Sequence, residues 1–312
     1  MQNSLPSATL GRTGIRVARL GYGAGHRKPQ DAANAKVVHE GVINAGVTLI
    51  DTADCYGNSE ELIGNFLSER SAEYYVATKC GSSSSGHVWT RNNCMRTMEA
   101  SLLRLKTSTI DIMQLHNPTV TEAEEGELVD ALIDMKKSGK VRWIGASTTI
   151  PDLETYLSWG VFDIFQIPYS ALERDHEEWI TKAYEAGAGI LVRGGVALGE
   201  PGIGKGTSER WDKFTEAGLD ELRDPDEDRT SFMLRFTLTH PHAHCIIVGT
   251  TSLEHLQKNV TAVLKGPLSA DIYDEAKRRL DAVGVSPVST SADNDIYISV
   301  SYTHLTLPTS EL

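Results

Sequence analysis

The chain has 312 residues, with 30 Lys+Arg against 42 Asp+Glu and a net charge of −12 at neutral pH. That acidic balance argues against bulk nucleic-acid binding and against a basic membrane-surface role. No apolar run approaches the roughly 18–20 residues of a spanning helix, so no membrane partner is expected. The N-terminus, Met-Gln-Asn-Ser-Leu-Pro, lacks the basic and apolar regions of a signal peptide. Cys55, Cys80, Cys94 and Cys245 form no Cys-x-x-Cys pair. They fit a reduced, cytoplasmic protein without a disulfide framework or zinc ribbon.

Residues 8–17 alternate apolar and polar around Gly11-Arg-Thr-Gly14 and predict a small hairpin. Residues 19–25 predict a strand running into a glycine loop. Asp31 to Ala45 predicts an amphipathic helix with Val37, Val38, Val42 and Ile43 on one face, ended by Gly46. Val47 to Ile50 predicts a buried parallel strand ending on Asp51. Tyr56 and Gly57 follow, then Asn58 as a helix N-cap with Glu61 as its capping-box acid. Taken alone, Asp51 and Tyr56 fit two readings: a chemical pair, or a turn cap beside a packing phenol.

Tyr74 to Lys79 predicts the third strand, followed by a polar loop over 81–89 and a helix over about 90–105. Ile110 to Leu115 predicts the fourth, ending on His116-Asn117-Pro118, with a helix over about 122–138. Val141 to Gly145 is the fifth, with a helix from near Pro151. Asp163 to Ile167 is the sixth, with a helix over about 175–186. Gly189 to Arg193 is the seventh and runs into a long glycine-rich loop. Cys245 to Gly249 is the eighth, followed by a helix from Ser252 to Leu264 and a last helix over about 270–283. Eight strands apolar on both faces, alternating with helices and without a linker, predict an α/β fold. It is a single (β/α)8 TIM barrel over residues 1–298, with an N-terminal capping hairpin and an extra C-terminal helix.

A parallel barrel gathers its strand ends around one mouth. Asp51, Lys79 and His116 end three consecutive strands, and Tyr56 lies on the loop after the first of them. A tyrosine hydroxyl near a lysine can protonate a carbonyl oxygen as it becomes an alkoxide. Free phenol has a pKa near ~10. An ammonium ~4 Å away, at an effective dielectric of about 20, favours the phenolate by roughly 4 kcal/mol, or about 3 pKa units. That is an upper figure, because Asp51 would partly neutralise the lysine while holding it charged and in place. His116 would orient the carbonyl oxygen or join a proton relay. No metal is needed if the electrophile is a carbonyl and the reductant a hydride.

On these residues the chain resembles the aldo-keto reductase family, from about residue 8 to 283. The matching pieces are Leu10-Gly-Arg-Thr-Gly14, Ile50-Asp-Thr-Ala-Asp-Cys-Tyr-Gly57, Ala77-Thr-Lys79, Asp111-Ile-Met-Gln-Leu-His116, Ile144-Gly-Ala-Ser147, Gln166, and Gly249-Thr-Thr-Ser252 with Asn259. The resemblance implies an oxidoreductase that reduces an aldehyde or ketone to an alcohol, with a small carbonyl compound as substrate. It implies NADPH as cofactor, with NADH also open, and a catalytic set of Asp51, Tyr56, Lys79 and His116 in which Tyr56 donates the proton. For cofactor binding it implies Gly23, Ser147, Thr148, Gln166, Arg193, Gly194, Lys205, Gly249, Thr250, Thr251, His255, Lys258 and Asn259. Ser147 and Gln166 match residues that bond the nicotinamide carboxamide, which needs both a donor and an acceptor. The segment from Gly249 and the helix after it match the adenosine phosphate site, and a helix N-terminus is a ready anion site.

The chain departs from the family pattern twice. Arg193, followed by Gly194-Gly195, stands where an aromatic commonly stacks on the nicotinamide. Gly249 and His255 stand where Lys and Arg commonly hold a 2′-phosphate, which weakens the NADPH preference. A second reading is a nicotinamide-binding regulatory subunit with slow or no turnover.

Gly199-Glu-Pro-Gly-Ile-Gly-Lys-Gly206 nearly spells a phosphate-binding loop, but Gly206 replaces the hydroxyl residue that would hold Mg²⁺. The resemblance instead sets Lys205 over the cofactor pyrophosphate. His240-Pro-His-Ala-His244 has metal-capable spacing but enters the eighth strand at the end away from the mouth. Cys55, Trp89 and Asn117 are the expected substrate-pocket residues, with His87 on the same loop as Trp89. The acidic run Asp224 to Asp228 reads as a solvated helix start. Residues 299–312 carry no pattern that joins the barrel and read as a non-native, disordered tail.

Overall fold

The computed structural model describes residues 4–25, 29–83 and 86–290, so the expectation for 299–312 lies outside the described residues. The chain enters as a hairpin, β1 (Ser7–Thr9) against β2 (Arg16–Ala18), around a 3-10 turn at Gly11–Thr13. It continues through β3 (Leu20–Gly23), α1 (Ala32–Asn44), β4 (Leu49–Asp51), α2 (Ser59–Leu67) and β5 (Tyr75–Cys80). A short hairpin follows, β6 (Ser82–Ser83) against β7 (Gly86–His87), and then α3 (Arg91–Leu105) and β8 (Ile110–His116). Next come α4 (Val120–Glu125), α5 (Leu128–Lys137), β9 (Val141–Ser147), α6 (Asp152–Ser158), β10 (Ile164–Pro168), α7 (Glu177–Glu185) and β11 (Gly189–Arg193). The last elements are α8 (Ser208–Glu216), α9 (Arg229–Thr239), β12 (Cys245–Val248), α10 (Leu253–Lys265) and α11 (Ala270–Ala282). Strands β10, β11, β12, β3, β4, β5, β8 and β9 pair in that order and close a parallel barrel. This is the expected (β/α)8 architecture.

Strand alternation divides the interior in two. Leu49, Ala77, Ile112, Ile164, Leu191 and Cys245 pack inside the barrel together with Leu10 and Val17 of the hairpin. Their chain neighbours Ile50, Val76, Met113, Phe165 and Ile190 face the helices in a larger outer core. The hairpin therefore plugs one end of the barrel. Gly11, at φ +49°, lies so close to the strand opposite that a Cβ would sit 2.3 Å from the Gly189 nitrogen.

The structure differs from the sequence reading in five places. The helix expected over 122–138 is two helices, broken at Gly126 and at Glu127 with φ +53°. The break lets Arg91 N donate to Gly126 O at 2.7 Å. The loop after β11 contains α8 and α9. Seven consecutive residues of α9, Phe232 to Leu238, are buried, so its sequence carries no amphipathic stripe. Asn58 makes no side-chain cap, so the capping box with Glu61 does not form. Its side chain instead bonds both the N–H and the C=O of Gln30. Val37 is exposed, while Val38, Val42 and Ile43 are buried as expected. In the acidic run, Glu227 is buried against Arg235 at 2.8 Å rather than solvated, and Asp228 caps α9 through Ser231 N.

Candidate functional site

The C-terminal ends of the strands carry a buried polar cluster centred on Asp51. Lys79 Nζ donates to both Asp51 oxygens at 2.8 Å and to Thr52 O at 2.8 Å. Gln166 Nε2 donates to Asp51 Oδ1 at 2.8 Å, and Gln114 Nε2 to the same oxygen at 3.3 Å. Asp51, Lys79, Gln114 and Gln166 are all buried, Lys79 at 1% exposure. A lysine that deep persists charged only with its hydrogens satisfied, and here three acceptors take them.

Tyr56 lies between this cluster and the mouth. Its hydroxyl is 3.4 Å from His116 Nε2, and Lys79 Nζ is 5.2 Å from its ring centroid. Gly25 gives the ring room, since a Cβ there would lie 3.1 Å from Tyr56 Cε2. The four expected catalytic residues thus come together. The expected fall in the Tyr56 pKa does not occur. Burial raises it above its usual value; Lys79 pulls it down, Asp51 and Cys55 push it up, and Arg193 pulls it down. Burial is the largest effect, and the Asp51 carboxylate paired with Lys79 offsets part of the ammonium's pull. At neutral pH the phenol therefore keeps its proton.

Ser147 sits in register between His116 and Gln166 at the ends of adjacent strands. Gln166, expected at the carboxamide, commits at least one amide hydrogen to Asp51. Gln114 was not anticipated. Its signal was the alternation Ile112, Gln114, His116, which puts it on the inward face of β8 two residues before the histidine. Arg193 ends β11 with its Nε buried and without a hydrogen-bond partner. Burial lowers its pKa, opposed by the charges of Glu173, Tyr56 and Asp51.

Gly23 and Gly249 approach closely: a Cβ on Gly249 would lie 3.0 Å from Gly23 O. Tyr22 Oη holds Thr250 O at 3.1 Å, and Asn34 Nδ2 holds Thr251 O at 3.0 Å. Ser252 caps α10 through His255 N, and Asn259 is buried on the same helix. Lys258 pairs with Glu254 at 2.9 Å, both exposed. Thr148 N donates to Gln166 O at 3.2 Å. Gly194 has φ +72°, and exposed Lys205 lies on the loop after β11. A nicotinamide dinucleotide needs close backbone approach, carboxamide partners and a positive pole for phosphate. The glycine-lined strand ends, the unpartnered Arg193 Nε and the capped start of α10 fit those needs.

Cys55, Trp89 and Asn117 ring the mouth at the loops after β4, β5 and β8. Cys55 Sγ lies 3.5 Å from His116 Nδ1. Trp89 stacks on His87 at 4.7 Å and 9°. Asn117 adopts φ +66° and is exposed. The histidine tract at the opposite end is engaged in the fold. His244 Nδ1 accepts from Ile190 N at 2.9 Å, His240 Nε2 lies 3.2 Å from Glu177 O, and His242 Nδ1 lies 3.1 Å from Thr181 Oγ1. No helix among the described residues is long and apolar enough to cross a membrane.

The model of the aldo/keto reductase family matches residues 19–280. The chain belongs to the aldo/keto reductase family. It is 26% identical over 310 residues to the uncharacterized oxidoreductase YqkF of Bacillus subtilis, covering 92% of this chain and 97% of that protein. It is 32% identical over 200 residues to the NADH-specific methylglyoxal reductase of Escherichia coli, covering 54% of this chain and 60% of that one. The solved structure of a Bacillus halodurans aldo-keto reductase in its holo form superposes with a TM-score of 0.79 at 26% identity, over 93% of this chain and 99% of that one. The reductase is therefore an NAD(P)H-dependent oxidoreductase acting on a small carbonyl compound. The reading as a regulatory subunit is not favoured by these relatives.

Proposed function

We propose that this reductase converts an aldehyde or ketone to the alcohol with Tyr56 as proton donor, Lys79 and Asp51 as its electrostatic support, and His116 as the group that orients the carbonyl oxygen. The single observation that carries this reading is the neutral Tyr56 hydroxyl, 3.4 Å from His116 Nε2 and raised in pKa by burial. When bound, the nicotinamide supplies the hydride. As charge develops on the carbonyl oxygen, the Tyr56 proton moves to it, and the nearby Lys79 ammonium stabilises the phenolate that remains. Asp51 keeps that ammonium in position, and the two glutamines keep Asp51 in position.

Cys55, Trp89 and Asn117 form the wall that the carbonyl substrate meets first. On the cofactor side, Ser147, Thr148, Gln166 and Asn259 hold polar groups, with Arg193 on the nicotinamide and Lys205 at the pyrophosphate. NADPH and NADH are both accepted. Support for this comes from Gly249, which has no side chain to offer a phosphate, and from Lys258, whose charge is shared with Glu254 at 2.9 Å. A relative that is an NADH-specific methylglyoxal reductase adds weight to NADH use.

The deciding experiment is Tyr56→Phe. Turnover should fall by about 10²–10⁴, the usual worth of a positioned acid, while cofactor affinity, read by fluorescence titration, stays near wild type. Wild-type turnover in that variant refutes the assignment.

A further inference from the structure

We propose that Cys55, His87 and His116 form an inhibitory site for a thiophilic divalent cation, best matched by Zn²⁺, across the mouth of the barrel. The three donor atoms lie within 4.8 Å of one another. Cys55 Sγ and His87 Nε2 each approach His116 Nδ1 to 3.5 Å. Tetrahedral zinc, with Zn–S of about 2.3 Å and Zn–N of about 2.0–2.1 Å, sets sulfur and nitrogen about 3.6 Å apart and two nitrogens about 3.4 Å apart. Both observed separations already match, so the ligands need only small movements to close on one ion.

Each ligand is positioned independently. His116 ends β8, Cys55 lies on the loop after β4, and His87 closes the β6–β7 hairpin opposite Ser82. Trp89 buttresses His87 by stacking at 4.7 Å, and Trp89 itself packs on Gly81, where a Cβ would lie 2.1 Å from its ring. Cys55 and His87 are exposed, so an ion reaches them from solvent. One thiolate and two imidazoles favour zinc over the oxygen-seeking Mg²⁺ and Ca²⁺. The thiol proton of Cys55 passes to water as the metal–sulfur bond forms. The fourth position, open to water, gives the ion no need of a further protein ligand.

Inhibition follows from where the ion sits, and this part rests on the function proposed above. Metal on Nδ1 leaves the His116 proton on Nε2, facing the Tyr56 hydroxyl 3.4 Å away. That nitrogen still faces the reacting groups, but the ion held at the mouth by Cys55, His87 and His116 stands where the carbonyl would enter to reach it.

Titration of the full chain with Co²⁺, followed by its thiolate-to-metal charge-transfer absorption, tests the site without reference to activity. One equivalent should saturate the band, and Zn²⁺ should displace it. Cys55→Ser should abolish the band, His87→Gln should weaken Co²⁺ binding by about tenfold or more, and His242→Asn, in the tract at the other end of the barrel, should change nothing. A missing band, or a band that survives Cys55→Ser, overturns the site. In assays with a carbonyl substrate, Zn²⁺ should compete with the carbonyl, and His87→Gln should lose that inhibition relative to its own metal-free rate. A Cys55-dependent band without inhibition overturns the inhibitory role and leaves the site standing. Failure to find any carbonyl substrate bears on the proposed function, and the Co²⁺ titration still decides the metal site.

Discussion

At the scale of residues, the decisive balance is between burial and charge. Lys79 is 1% exposed and Asp51 6% exposed, with two contacts of 2.8 Å between them. Such a pair adds little over apolar packing, but breaking it leaves a buried charge. Lys79→Met should therefore cost about 3–5 kcal/mol in urea unfolding as well as most of the activity. A variant as stable as wild type would mean that Asp51 is held by Gln114 and Gln166 alone. The same balance explains Tyr56. The sequence supplied a lysine near a phenol and so an expected acidic shift, but the distance and the direction of the ammonium hydrogens were not written in it. Only the packed structure shows that Asp51 and Thr52 take those hydrogens.

At the scale of elements, strand ends gather the polar cluster, and α10 is where the proposed cofactor preference is open to test. Ser252 caps α10 by accepting from His255 N at 3.4 Å, which leaves the first turn ordered with its free amides outward. Glu254 sits in that turn and draws Lys258 to itself. Glu254→Gln should free Lys258 and raise the NADPH-to-NADH ratio of kcat/KM a few-fold, with most of the change in KM for NADPH. An unchanged ratio would place the 2′-phosphate away from Lys258. The helices that sequence reading missed fail for a stated reason. α9 is buried over seven consecutive residues, polar Arg235 and Thr237 among them, so its polar and apolar residues do not sort onto two faces and leave no period to read. The break at Gly126 is also tertiary, because it is set by the approach of the loop at Trp89, whose carbonyl would lie 2.3 Å from a Cβ on Gly126.

At the scale of the whole molecule, stability and chemistry occupy opposite ends of the barrel. Leu10 is fully buried in the plug against Leu49, Leu191 and their neighbours. Leu10→Ala should cost about 2–5 kcal/mol of stability, with kcat near wild type below the melting transition. A large fall in kcat at unchanged stability would couple the two ends.

The histidines at the plugged end make the fold sensitive to acid. Burial lowers His240 and His244 to about 4 each. Between about 6.5 and 4 the unfolded chain binds protons that the folded chain refuses, so stability is full above that window and is lost as pH falls through it. The slope is up to about 1.4 kcal/mol per pH unit for each histidine. Melting temperatures from pH 7 to pH 4 should fall accordingly, and a flat profile would mean that neither histidine is held neutral.

The sequence by itself determined the order of the eight barrel strands and most of the helices between them, the closed barrel, and the residues that meet at its mouth. It could do so because alternation and strand termini are local properties, and because a parallel barrel collects every strand end on one face. Asp51, Tyr56, Lys79 and His116 were legible on those grounds before any contact was known. Which hydrogens Lys79 spends on which acceptor, that Gln166 and Gln114 turn toward Asp51, that burial holds the Tyr56 proton, and that Cys55 and His87 reach the far nitrogen of His116 were decided by tertiary structure alone. These depend on distances of a few ångströms between residues as far as 115 positions apart, and a linear pattern carries no record of them.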